Sequence, residues 1–193
     1  MKNKSLSIVG FGTDRDDKDF YPTPPEATEA LFEREEFYGN VWECASGDGA
    51  MSKVIEKYNN CYSSDIQTTD WIYGDTGVDF LSKTYNYENM MAHTHNNIIT
   101  NPPYRYAREF VEQAKKYANK KIAMLLKLVF LESKGRYEMF QDTNFPLKTV
   151  HVFCSRVKIY KRGIVGKNSG LIAYAWFVWD KGYQGKPQIE WIK

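Results

Sequence analysis

Asn101-Pro102-Pro103-Tyr104 is the stretch of this 193-residue chain whose residue types point most directly to chemistry. Two prolines fix the backbone and leave their carbonyls in set directions. The Asn101 side-chain oxygen and the Pro102 carbonyl can each accept one N–H of an exocyclic aromatic amine or an amide. Such a nitrogen is a poor nucleophile because its lone pair is delocalised. Two fixed acceptors draw it toward tetrahedral geometry, aim the lone pair at a methyl sulfonium and stabilise the positive charge that develops. Tyr104 adds a flat face for a planar substrate. The preceding Asn97-Ile98-Ile99-Thr100 reads as a strand, so the turn lies where open α/β sheets bind ligands.

A second constellation lies upstream. Val41-Trp42-Glu43-Cys44-Ala45 is a short apolar run ending at Ser46-Gly47-Asp48-Gly49. A glycine turn between strand and helix lets backbone approach a ligand and offers free N–H donors. A dinucleotide fingerprint would place a third glycine near Ser52, where there is none. Glu43 and Asp65, the latter at the end of the next strand-like run, fit another nucleoside cofactor. Asp65 can accept hydrogen bonds from vicinal ribose hydroxyls, and Glu43 can sit near a cationic amino group, a description that fits S-adenosylmethionine. Two solvated acids beside a tight turn would give the same spacing, and these residues alone leave the choice even.

Elements must hold these groups. Thr23-Pro24-Pro25-Glu26 has the pattern of a capping box with Thr23 as N-cap, opening a helix through Phe32. Met51, Val54, Ile55 and Tyr58 recur at helical spacing after the glycine loop. Cys61–Ile66 predicts a second strand, Arg105–Ala118 a helix and Lys121–Leu126 a further strand. Strands alternating with helices predict a parallel sheet covered on both faces. The last third changes character: Thr149–Tyr160 and Leu171–Asp180 predict an antiparallel hairpin, and the alternating Tyr174, Trp176, Phe177 and Trp179 read as core. Residues 1–19 are polar and without apolar period, and are expected to form a flexible leader before a single domain over 20–193.

Composition narrows the class. With 42% hydrophobic, 16% aromatic and 26% charged residues, disorder, collagen-like repeats and coiled coil are excluded. The widely spaced Cys44, Cys61 and Cys154 suggest free thiols in a reducing compartment. No segment has the length of a signal peptide core or a membrane span, so a cytoplasmic protein is expected. The net charge of +2 hides an asymmetry: residues 1–100 carry 8 Lys+Arg against 17 Asp+Glu, and residues 101–193 carry 18 against 7. A basic half suggests a polyanion as partner, although two sets of solvated faces would give the same counts.

Taken together these motifs resemble the Asn-Pro-Pro-Tyr amino-methyltransferases, above all the DNA N6-adenine methyltransferases and especially the small single-domain enzymes of tailed phages and prophages. Tyr21-Pro22-Thr23-Pro24-Pro25 resembles the family's N-terminal cofactor motif, residues 43–49 its glycine-rich motif, and Asp79-Phe80-Leu81 the segment that holds the cofactor's adenine. Lys127–Tyr137 and Ala175–Tyr183 are also similar to the phage group. The resemblance implies the class I methyltransferase fold, a Rossmann-like three-layer α/β sandwich whose mostly parallel, seven-stranded sheet ends in an antiparallel hairpin. It implies S-adenosyl-L-methionine as cofactor, S-adenosyl-L-homocysteine as product, and no metal. It assigns the catalytic role to Asn101, Pro102, Pro103 and Tyr104. Cofactor contacts fall to Tyr21, Thr23, Pro24, Glu43, Ala45, Gly47, Gly49, Asp65, Ile66, Asp79, Phe80 and Asn101. Cys44 stands where many relatives have Pro or Phe. No stretch matches the target-recognition region, many tens of residues long, of DNA adenine methyltransferases, so the resemblance implies the reaction more than a recognition sequence.

Arg156, Lys158, Lys161, Arg162 and Lys167 surround the hairpin loop, and with Arg105 and Lys127 they are candidate nucleic-acid contacts, in line with a base extruded from a duplex. DNA is favoured over RNA, with no membrane partner and a second copy or a specificity subunit as further candidates. A phage-encoded chain would act in the host cytoplasm. RNA adenine or a protein glutamine amide would suit the same turn, and a non-catalytic cofactor- or nucleic-acid-binding module is the reading from another class. His93-x-His95 lacks a third ligand at suitable spacing and is set aside as a metal site.

Overall fold

The computed structural model describes residues 21–82, 95–159 and 172–193. The expected leader, His93, Lys161, Arg162 and Lys167 lie outside them.

In chain order the elements are helix α1 (Pro25–Phe32), strand β1 (Val41–Glu43), a short helix α2 (Ser52–Ile55), β2 (Cys61–Asp65) and β3 (Asp75–Thr76). There follow β4 (Asn97–Thr100), helix α3 (Ala107–Tyr117), β5 (Lys121–Lys127), a short helix α4 (Tyr137–Phe140), β6 (Leu147–Phe153), β7 (Tyr174–Asp180) and β8 (Gln188–Ile192). They build one sheet in the order β3-β2-β1-β4-β5-β7-β6-β8. β7 runs antiparallel to β5 and β6, and the other pairings are parallel.

Side-chain alternation decides how the layers form. In β5, Ile122, Met124 and Leu126 point into one core and Ala123 and Leu125 into the other; in β7, Ala175, Phe177 and Trp179 oppose Tyr174, Trp176 and Val178 in the same way. A strand apolar on both faces needs cover on both faces. Ala107, Phe110, Val111 and Ala114 form the buried stripe of α3 against the first core. Leu31 and Met51 face the second, where Trp176 Nε1 donates to the Ala27 carbonyl at 2.7 Å. Each large side chain so buried contributes about 1.5–3 kcal/mol. The sandwich is therefore the mixed, mostly parallel α/β fold expected.

Two details differ from expectation. The sheet has eight strands, because Gln188–Ile192 adds an edge strand parallel to β6. Four of its five residues are exposed, Ile189 and Trp191 among them. Helix α1 starts with Pro25 at its first position, and Pro24, which offers no side-chain cap, precedes it. The Thr23 hydroxyl is engaged elsewhere, as described below. No helix of the described residues is long and apolar enough to cross a membrane. The three cysteines are free.

Candidate active site

The carboxyl ends of β1, β2 and β4 open onto a cavity of about 510 Å³. It brings together the glycine loop, the segment after β2, the Asn-Pro-Pro-Tyr turn and the residues before α1. Of the expected cofactor residues, Tyr21, Thr23, Glu43, Ala45, Gly47, Asp65, Ile66, Asp79, Phe80 and Asn101 line it, as do Pro102, Pro103 and Tyr104. Pro24 and Gly49 do not. Gly49 is turned against Tyr73, whose ring lies 2.4 Å from where a Cβ would stand, and its φ of +77° is one only glycine adopts readily.

The glycine loop is held from two sides. Gly47 N–H donates to Asp65 Oδ2 at 3.0 Å, and Tyr73 N–H donates to the Gly47 carbonyl at 2.8 Å. Asp65 Oδ1 accepts from Gln67 N–H at 2.9 Å. Each carboxylate oxygen of Asp65 keeps further acceptor capacity toward the cavity. Ile66 beside it is exposed and offers an apolar face, whereas Phe80 is buried edge-on against Trp42, with ring centroids 5.0 Å apart. Tyr73 escaped the sequence reading because nothing in its neighbourhood marks a partner of a distant glycine.

Glu43 is almost wholly withdrawn from water. Thr100 Oγ1 donates to its Oε1 at 2.5 Å and Ala45 N–H donates to the same atom at 3.2 Å. Oε2 is buried and has no partner. Burial pushes the carboxyl up to about 8, against the pull of the two hydrogen bonds. A buried acid with one oxygen unanswered at a cavity wall has the chemistry to take a hydrogen-bond donor. Thr100 was not singled out in the sequence, although a hydroxyl at a buried strand end requires a partner.

Asn101 shows the complementary arrangement. Its Nδ2 donates to Thr23 Oγ1 at 2.9 Å and to the Tyr21 carbonyl at 3.4 Å, which uses both amide hydrogens. Its Oδ1 is left without a partner at the cavity wall. Thr23 thus sets which edge of the amide faces the cavity. Tyr104 packs between the rings of Tyr21, at 6.5 Å, and Tyr174, at 5.6 Å.

The basic candidates separate into three groups. Arg105 lines the cavity, and the Lys127 ammonium lies 4.8 Å from the Tyr104 ring centroid. Arg156 and Lys158 are exposed on the segment leaving β6 at the same edge of the sheet, while Val157 and Ile159 between and beyond them pack on the core. The remaining three fall outside the described residues. His95 is buried with its ring stacked on Tyr62 at 5.3 Å. No cluster of potential metal ligands occurs among the described residues.

No family model and no curated protein sequence matches the chain. Solved structures do. A predicted O-methyltransferase from Agrobacterium tumefaciens superposes with a TM-score of 0.60 at 9% identity, covering 87% of this chain and 85% of that one. A candidate RNA methyltransferase from Pyrococcus horikoshii gives 0.61 at 13%, covering 89% and 92%. The DrdV–DNA complex gives 0.53 at 12%, covering 88% of this chain and 27% of that one. At these identities the likeness establishes the fold alone: a mostly parallel, Rossmann-like α/β sandwich shared with methyltransferases among these structures.

Proposed function

We propose that the protein transfers a methyl group from S-adenosyl-L-methionine to the exocyclic N6 amine of adenine in DNA, acting on a base swung out of the helix. The observation that carries this reading is the orientation of Asn101: both amide hydrogens are engaged by Thr23 and Tyr21, and the oxygen faces the cavity unpartnered. That edge accepts an N–H and rejects a bare acceptor, so it suits an amine or amide substrate.

The cavity residues fit the cofactor. Glu43 Oε2 suits its ammonium, Asp65 its ribose hydroxyls, and Ile66 with Leu81 an apolar purine face. When bound, the cofactor supplies an electrophilic methyl on a sulfonium. The chain's residues do the rest: Asn101 orients the amine and stabilises charge growing on nitrogen, Tyr104 presents a ring for the base, and burial at the strand ends excludes water. Lys127, Arg105, Arg156 and Lys158 at that edge support a polyanionic substrate.

The test is transfer of labelled methyl to duplex DNA, structured RNA and bulk protein offered separately. Label is expected in adenine of DNA; label confined to RNA or to protein glutamine would move the substrate, and no binding of S-adenosylhomocysteine by calorimetry would favour a non-catalytic module. Asn101→Ala should keep product affinity within about threefold and lower transfer by at least about 1,000-fold. Full activity in that variant removes the mechanism.

A further inference from the structure

The turn Leu128–Leu131 that follows β5 alternates between core and solvent. Phe130 is buried against Phe177, at 5.5 Å between ring centroids, and Leu128 packs on the same core. Val129 is 60% exposed and Leu131 41% exposed. Exposed aliphatic side chains scattered on a surface need no explanation. These two, however, are displayed by a loop that is clamped. The Arg136 guanidinium donates to the carbonyls of Phe130, at 2.8 Å, of Val129, at 3.3 Å, and of Glu132. It also sits 4.7 Å from the Phe130 ring centroid. At the loop's start, Leu128 N–H donates to the Ala173 carbonyl at 2.8 Å.

Position gives the clamp a purpose. Lys127, the residue before the loop, holds its ammonium over Tyr104 and pairs in register with Tyr174, whose ring packs on Tyr104. The loop therefore starts one residue after a side chain that lies over Tyr104, the ring offered to a substrate base. Swinging a base out of a duplex sacrifices stacking and pairing, and apolar side chains inserted between base steps offset that loss.

We propose that Val129 and Leu131 are a wedge that enters duplex DNA as the target adenine leaves the stack, with Lys127 and Arg105 meeting the strand on either side. This rests on the reading of the protein as a DNA adenine methyltransferase. Rigidity is what the function requires, because a soft loop would fold away from the base pairs instead of parting them. Single-stranded DNA, already unstacked, does not need the wedge.

The experiment measures labelled methyl transfer to unmethylated phage-length duplex DNA and to the same DNA heat-denatured, for the wild type, Leu131→Ala and the Val129→Ala/Leu131→Ala pair. S-adenosylhomocysteine affinity serves as the control for folding. The double variant should lose about tenfold or more on duplex while staying within about twofold on single strands, with Leu131→Ala between. Equal losses on both substrates, or none on either, would overturn the wedge. So would a wild type active on single strands alone. A wild type that labels neither DNA form sinks the DNA reading itself, which is a different failure. An adenine analogue, 2-aminopurine, placed opposite thymine gives an independent readout: its fluorescence should rise with the wild type and stay low with the double variant.

Discussion

Glu35 and Glu43 sit at opposite ends of the sheet, both nearly withdrawn from water, and their carboxyl groups titrate in opposite directions. At the amino end, burial would raise Glu35, but hydrogen bonds from His151 and Lys121 and the nearby charge of Lys148 hold it at about 2. Lys121 Nζ lies 2.7 Å from Oε2 and His151 Nε2 lies 3.2 Å from Oε1, with Lys148 at 3.5 Å. At the carboxyl end Glu43 has only neutral donors on one oxygen and rises to about 8. The same side chain is a paired structural charge in one place and a buried acid with one oxygen unanswered in the other. What separates them is whether the chain itself supplies the cation.

The largest expected effect comes from breaking the paired end. Glu35→Ala leaves Lys121 and Lys148 partly buried with Asp180 as their shared acid and takes the Nε2 partner from His151. Urea denaturation at pH 7 should show a loss of about 3–5 kcal/mol. The contribution of Glu35 is present above its unfolded pKa near 4.5 and is lost as pH falls through 2. The gap between variant and wild type should therefore narrow in acid, and a gap constant from pH 7 to 2 would contradict the pairing.

Glu43 predicts the reverse. Its folded pKa lies above the unfolded 4.5, so its contribution is present below 4.5 and is lost as pH rises through 8. Glu43→Gln removes that penalty. The variant should be more stable than the wild type by up to about 5 kcal/mol at pH 9 and equal to it near pH 4. It should also bind S-adenosylmethionine more weakly. In the wild type a cationic ligand at Oε2 favours the ionised acid, so calorimetry between pH 5 and 8 should show proton release on binding and affinity rising with pH. Binding without proton release would separate Glu43 from the ammonium.

The site end of this contrast could be read in part from sequence and the Glu35 end could not, for reasons that lie in particular residues. Val41–Glu43 and Asn97–Thr100 announced themselves as strands by short apolar runs, and the glycines and prolines that follow them marked the turns. The role of Thr23 did not. Thr-Pro-Pro-Glu looks the same whether the hydroxyl turns back to cap a helix or across to Asn101, 78 residues away. Glu35 lay in an acidic first half and Lys121 and Lys148 in a basic second half, and folding pairs them. The split in charge along the chain is thus partly neutralised in space.

The smallest predicted effect sharpens the comparison at a single hydrogen bond. The site end differs from the amino end in that its polar groups satisfy one another on one side only, and Thr23 is the group that fixes which side of Asn101 is spare. In Thr23→Ala the Asn101 amide loses the 2.9 Å acceptor and keeps only the longer contact to the Tyr21 carbonyl. The amide can then turn its NH₂ toward the cavity, where it meets the substrate amine donor to donor. A net hydrogen bond of about 1.4 kcal/mol corresponds to about tenfold in rate. That loss should fall on kcat, with KM for cofactor and DNA within about twofold, because the turned amide opposes the reacting geometry more than it opposes docking. Thr23→Ser, which keeps the oxygen, should recover most of the rate. Equal losses in Ala and Ser, or a loss confined to the cofactor's KM, would instead make Thr23 a cofactor contact and return the orientation of Asn101 to the backbone alone.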